Sequence, residues 1–439
     1  MDNMRFLLAT GIFIGTYGAI AFRNFKGGRI PIWSVMLAGA VAMVFSGTIG
    51  VAEAYHSINL EVMVFLFSMF TFVTAMDVSG VLEAFATKLF LRAKRPEDII
   101  YLTFFGFGLA SAILMNDTIA LMGTPIMLSL ARKMRFSSKP LLLTLAFSVT
   151  LGSVMTPMGN PQNLLIALVS GVPAPLITFV LYLAAPTIVN LFITCLILRG
   201  IYRNELLKAR EGFIQLTESE ATLKESKITD RSLARQTVTM LALTMMGIVL
   251  VNVLEMGGMK QQFGISEVSL LGAAVLLLSS NRRREVVKRL DWGILIMFAS
   301  LFVLMQAIWD AGVVAELSKY LPSLSKNGDA STLLPILASS ISLSQVLSNV
   351  PMVALYLPLM KSLGYGPSDK TAWAALAGGS TLAGNLTLLG AASNLIIVEE
   401  AEARGHSLGF MEFSRIGCLV TVANVAVLYF FLITLPHLL

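Results

Sequence analysis

Apolar residues run in long blocks separated by short polar punctuation, and nowhere do they alternate with polar residues at a period of two. Between Pro140 and Leu198 there is no Asp, Glu, Lys or Arg. About 20 apolar residues suffice for one helical crossing of a bilayer, so that stretch alone predicts two. A membrane barrel needs outward apolar and inward polar alternation, which leaves helices as the spanning element. The blocks fall into a series that occurs twice. The first copy has helices over 4–22, 31–48 and about 60–78, an apolar hairpin with a polar tip over 100–131, a glycine-broken helix over 141–170 and a last helix over 176–198. The second has helices over 238–255, 266–280 and 292–310, a hairpin over 331–360, a broken helix over 371–400 and a last helix over 416–436.

The two copies match residue by residue at a shift of about 233. Val35, Gly39, Ser46, Asp77, Asn116 and Pro125 meet Val268, Gly272, Ser279, Asp310, Asn349 and Pro358. At a shift of 231, Thr156, Gly159, Asn163 and Leu164 meet Thr387, Gly390, Asn394 and Leu395. The matches include the polar and Gly/Pro exceptions, in order, so chance similarity between apolar strings does not account for them. If each hairpin returns to the side it left, each copy crosses five times and the second copy is inverted. The predicted fold is therefore an all-α polytopic membrane protein of two inverted repeats, each with five transmembrane helices and one re-entrant hairpin. Residues 1–200 form the first repeat, 201–236 a polar cytoplasmic linker and 237–439 the second; segments 100–170 and 331–402 form a transport part against a scaffold of the remaining helices.

Composition agrees with a membrane protein: 56% of the 439 residues are hydrophobic, only 13% are charged, and the mean hydropathy is +0.78. The net charge of +6 raises the question of nucleic acid. With the N-terminus outside, 26 of the 32 Lys and Arg fall on inner segments, so topology explains the basic residues and no nucleic-acid partner is expected. Both termini are then outside a cell inner membrane. The first apolar segment runs into Arg23, Lys26 and Arg29 without a clear cleavage site, and is expected to be retained.

Inverted repeats with discontinuous helices place a site near the bilayer midplane, where half-helix N-termini and unwound backbone meet. The hairpin tips are Asn116, Asp117, Thr118 and Ser348, Asn349, Val350, Pro351; the broken helices carry Gly159, Asn160, Asn163 and Gly390, Ser393, Asn394. These tips and breaks are the candidate substrate site. Asp117 is a carboxylate in an otherwise charge-free hairpin, and burying it ionised requires a partner, a cation or a proton. It is the candidate coupling group. Thr156, Thr387, Asp77 and Asp310 are lesser candidates, and Glu61 and Asp291 read as boundary residues. Cys195 and Cys418 lie on the last helices, so no thiolate metal site is expected, and no cofactor. No His-Glu-x-x-His or paired intramembrane aspartate suggests an enzyme.

At NDTIALMGTPI from Asn116, TPMGNPQN from Thr156, LSNVPMVALYLP from Leu347 and GNLTLLGAASN from Gly384, the chain resembles the ion transporter superfamily, and within it the arsenite/antimonite efflux permeases (the ArsB family). The resemblance runs over nearly the whole chain. It implies ten spans, two re-entrant hairpins and elevator-like alternating access, with proton-driven efflux of arsenite and antimonite through Asp117. A homodimer, and a separate arsenical-pump ATPase subunit on the basic loops, are compatible with it. The alternatives are a Na⁺/H⁺ antiporter or a sodium-coupled dicarboxylate or anion transporter of the same superfamily. Ser-Asn-Thr stands at both tips in the sodium-dicarboxylate branch, and its absence here argues against a dianion.

Overall fold

The computed structural model describes residues 2–21, 30–208, 228–259, 262–318 and 332–435. Helices account for nearly all of them, and no strand occurs among the described residues. Among the described residues, seven helices are long and apolar enough to cross a membrane: Leu60–Ser79, Pro96–Leu114, Ser138–Met155, Pro175–Ile201, Arg231–Met256, Trp292–Asp310 and Phe410–Thr434. The protein is thus a multi-pass membrane protein of about seven apolar spans. Ten spans and two five-helix inverted repeats with re-entrant hairpins are not what the structure shows.

The physical reason is length. Ile32–Phe45, Ile265–Ser279 and Leu333–Leu347 have 14, 15 and 15 residues. At about 1.5 Å per residue they reach roughly 21 to 23 Å, short of a hydrocarbon core of about 30 Å. Asp2–Ala21 has 20 residues but opens on the polar Asp2, Asn3 and Arg5, and it is not one of the seven. Conversely, the arm expected to begin at residue 100 begins at Pro96, so Pro96–Leu114 becomes a 19-residue helix of crossing length. It carries one π turn, Thr103–Phe107. Most of the linker expected over 201–236, and the basic group Arg23, Lys26 and Arg29, lie outside the described residues.

One close approach sets the core. A Cβ on Gly152 would overlap the backbone O, C and Cα of Gly108, so the Ser138–Gly152 helix and the Pro96–Leu114 helix touch main chain to main chain. Small residues allow this in membrane helix pairs, where packing and hydrogen bonds replace hydrophobic drive. Ser111 completes the seam, its Oγ placed to donate to Gly108 O at 2.7 Å and to Val149 O at 2.9 Å. The short helices pack on long ones: Ile32–Phe45 on Trp292–Asp310, and Ile265–Ser279 on Leu60–Ser79.

Four interruptions lie inside this frame. The chain reverses at Met115 (φ 65°) and Ser348 (φ 66°), non-glycine residues in a backbone region that costs about 1–3 kcal/mol each. It unwinds at 153–160, where Thr156 and Asn160 are extended, and again at 383–391, where Thr387 and Ala391 are extended. Helices restart at Asn116, Pro161, Asn349 and Ala392.

Candidate functional site

The four restarts come together by exchange. The Asn116–Lys133 helix packs against Ala392–Glu402, and Pro161–Val169 packs against Asn349–Ser362. Asn116 ties three of the segments: its backbone N–H donates to Gly159 O at 2.8 Å, its Nδ2 to Ser393 Oγ at 3.4 Å, and its Oδ1 accepts from Asp117 N at 2.9 Å.

The two junctions differ in how well their polar groups are satisfied. At the first, Asn160 Oδ1 accepts from Asn163 N at 2.8 Å, while its Nδ2 donates to Ser153 O and Thr381 Oγ1 at 3.1 and 3.2 Å. Asn163 Nδ2 faces the carbonyls of Ser153, Val154 and Thr156 at 3.0–3.3 Å, and its Oδ1 accepts from Thr381 at 3.2 Å. Thr156 Oγ1 donates to Ala112 O. The freed backbone carbonyls are thus filled from within the protein, and a Cβ on Gly159 would overlap the backbone of Ser153.

At the second junction, Asn394 Nδ2 donates to Gly384 O at 2.5 Å, Thr387 Oγ1 to Gln345 Oε1 at 2.7 Å, and Gln345 Nε2 to Ala383 O at 2.9 Å. Yet Asn349 Oδ1, Asn394 Oδ1, Thr150 Oγ1 and both side-chain polar atoms of Asn385 are buried without a hydrogen-bond partner. Thr150 and Asn349 face the same glycine: a Cβ on Gly384 would lie 3.3 Å from Thr150 Cγ2 and 3.6 Å from Asn349 Nδ2. Unpaired buried acceptors are uncommon, and each calls for an explanation such as an ion or a water.

These opposite states predict opposite mutant behaviour. Asn163→Ala removes the donor that faces three carbonyls and is expected to cost about 2–3 kcal/mol of stability or more, read as a lowered thermal unfolding midpoint. Asn349→Ala removes an acceptor with no partner and is expected to change stability by less than about 1 kcal/mol while reducing transport.

Asp117 lies at the first turn of its helix and is 9% exposed. Its carboxylate makes no hydrogen bond or ion pair among the described residues. It lines a cavity of about 300 Å³ together with Trp33, Asp291, Met297, Leu395 and Glu399. Asp291 caps the Trp292–Asp310 helix by accepting from Ile294 N at 3.2 Å. Three carboxylates therefore share one cleft, and none of its described lining residues is Lys, Arg or His. They do not converge into a metal-ligand cluster among the described residues. Helix N-termini add positive partial charge: the one at Ala392 lines the cleft, and those at Ala392 and Asn349 have no side-chain cap, whereas at Asn116 the first two N–H groups already donate to Gly159 O and Asn116 Oδ1.

The structure brings together Asn116, Asp117, Thr118, Gly159, Asn160, Asn163, Thr156, Asn349, Thr387, Gly390, Ser393 and Asn394 around these junctions, with Ser348 acting through its backbone reversal. Asp77 and Asp310 do not line the cleft; exposed Asp310 accepts from Gln306 Nε2 at 2.8 Å. Sequence reasoning missed Thr150, Thr381, Asn385, Trp33 and Glu399, and assigned Asp291 to a boundary. Three of these carried a signal: Thr150 and Thr381 match at the 231 shift, and Glu399 stands seven residues, two helical turns, after Ala392.

Comparison with known proteins corrects the functional assignment. The family described as "CitMHS: Citrate transporter" matches residues 17–378. An uncharacterised transporter of Mycobacterium tuberculosis is 29% identical over 432 residues, covering 96% of each chain. The silicon efflux transporter LSI3 of Oryza sativa subsp. japonica is 26% identical, covering 83% of this chain and 84% of its own. The Alcanivorax borkumensis YdaH transporter structure covers 98% of both chains at 13% identity and a TM-score of 0.49. The arsenite/antimonite permease assignment is overturned by the family match, and with it arsenical resistance, arsenite and antimonite as cargo, and the ATPase subunit. Three of the four motifs that carried the resemblance, those from Asn116, Thr156 and Leu347, lie within the residues that the citrate transporter family matches. The protein is a transporter rather than an enzyme, and the chain belongs to the citrate transporter family CitMHS.

Proposed function

We propose that this protein is a cation-coupled secondary transporter of small polycarboxylate anions, with the anion at the meeting of the uncapped helix N-termini and the cation at Asp117. The single observation that carries this reading is the pairing of those N-termini with an unpartnered, nine-tenths-buried carboxylate in an acidic cleft. Half-helix N-termini attract carboxylate oxygens. Asp117 and Asp291 repel them, so the anion requires a compensating sodium ion or proton on the acidic side. The absence of Ser-Asn-Thr at both tips therefore does not exclude a dianion; Asp117 at the first tip is the titratable group where the compensating charge binds. The unpartnered oxygens of Asn349, Asn394 and Thr150 support the same reading, since they suit a desolvated monovalent cation or substrate hydroxyls.

By the positive-inside rule, the basic ends at Lys88–Arg95, Arg132–Lys139 and Arg282–Arg289 face the cytoplasm of a plasma membrane. Uptake of labelled citrate, succinate and silicic acid into proteoliposomes, with imposed sodium or proton gradients, tests the substrate class. Polycarboxylate uptake that follows a cation gradient supports the reading; silicic acid uptake indifferent to cations sinks it.

A further inference from the structure

We propose that a pocket at the basic end of the Pro175–Ile201 helix binds the headgroup of an anionic phospholipid. The pocket has a volume of about 410 Å³ and is lined by Glu97, Leu196, Arg199, Gly200, Arg203 and Leu206, with Leu207 at its edge. It shares no lining residue with the cleft around Asp117. The segments that frame it are fixed to one another: the short Arg203–Lys208 helix packs on both Pro175–Ile201 and Pro96–Leu102.

Three features select a phospholipid over a soluble anion. The first is a surface that changes character where the membrane helix ends. Phe192 and Leu196 are exposed on the last turns of the 27-residue Pro175–Ile201 helix, Arg199 follows three residues after Leu196, and Arg203 opens the short helix beyond the break at Tyr202. An acyl chain along Phe192 and Leu196 places its phosphodiester at the two guanidinium groups. The second is preorganisation. Arg199 Nη1 donates to Tyr101 Oη at 2.8 Å and its guanidinium carbon sits 5.9 Å from the Tyr101 ring centroid, which holds the charge in place with further N–H donors remaining for phosphate oxygens. The third is room. A Cβ on Gly200 would meet no atom within 4 Å, so the floor between the two arginines is open. Basic pockets beside membrane helices are suited to anionic headgroups because guanidinium pairs bidentately with phosphate. Glu97 is the one acidic group in the lining, and it opposes the ligand.

The test uses the full chain purified in mild detergent, with retained lipid identified by native mass spectrometry after equilibration with phosphatidylglycerol and phosphatidylcholine. Retention of phosphatidylglycerol over phosphatidylcholine is expected, with a loss of about fivefold in Arg199→Ala and again in Arg203→Ala. Glu97→Gln is expected to strengthen retention, which keeps the proposal falsifiable where the arginine variants fail to fold. Inorganic phosphate at millimolar concentration is expected not to displace the lipid. Equal retention of the two lipids, unchanged retention in the arginine double variant, weakened or unchanged retention in Glu97→Gln, or displacement by phosphate would each overturn it.

Discussion

Asp117→Asn is expected to lower cation-coupled uptake about 10- to 100-fold while leaving the folded protein as stable as the parent or more so. A charge-assisted contact to a bound cation contributes about 1.5–3 kcal/mol, which converts to that range of affinity. The neutral amide keeps the shape of the side chain but cannot compensate a cation or carry a proton. The stability half of the expectation follows from the environment. The carboxylate is buried in the cleft wall with no hydrogen bond or ion pair among the described residues, next to Asp291 and Glu399, so neutralising it removes repulsion and desolvation cost. A residue held mainly for capping would behave oppositely, losing stability and keeping transport. Uptake in proteoliposomes and thermal unfolding of the same preparation separate the two.

Gly152→Val is expected to cost about 3 kcal/mol or more, and to be read as loss of folded, detergent-soluble protein. A Cβ at this position would overlap three backbone atoms of Gly108, and backbone cannot rotate away as a side chain can. The two helices must separate, which also breaks the Ser111 bond across the seam to Val149 O. Because Pro96–Leu114 leads directly into the Met115 reversal, the displacement reaches Asn116 and Asp117. Gly200→Val, at a glycine with no atom within 4 Å of its Cβ position, is the matched control and is expected to fold normally.

Much of the candidate site was legible because its chemistry lies in exceptions to an apolar background. Asn116, Asp117, Gly159, Asn163, Asn349 and Asn394 stand out in segments otherwise free of polar residues, and backbone breaks in lipid require such groups. The spacing of about 233 residues also separates Met115 from Ser348, the two positive-φ reversals, although neither residue type announces a turn. The number of spans was not legible, for a physical reason. Apolar runs of 14 to 20 residues differ little in composition, while small shifts in where a helix starts, as at Pro96, decide whether it reaches across a bilayer. The acidic cleft was also hidden. Asp291 and Glu399 are ordinary boundary residues in one dimension, and only the packing of Ala392–Glu402 on Asn116–Lys133, with Trp292–Asp310 alongside, brings them to Asp117. Substrate class was misread because the missing Ser-Asn-Thr tips were weighed without the compensating cation that Asp117 can bind.

The central claim is that anion and cation bind to one site and stabilise each other there. Linkage makes this measurable: the factor by which the cation tightens citrate equals the factor by which citrate tightens the cation. The most direct measurement is citrate affinity of the purified protein by calorimetry across a series of sodium concentrations and pH values, in the parent and in Asp117→Asn. The account predicts that citrate affinity rises at least about tenfold with sodium or with proton concentration in the parent, and that this dependence disappears in Asp117→Asn. Citrate affinity that ignores both cations in the parent, or a dependence that survives unchanged in Asp117→Asn, would contradict it.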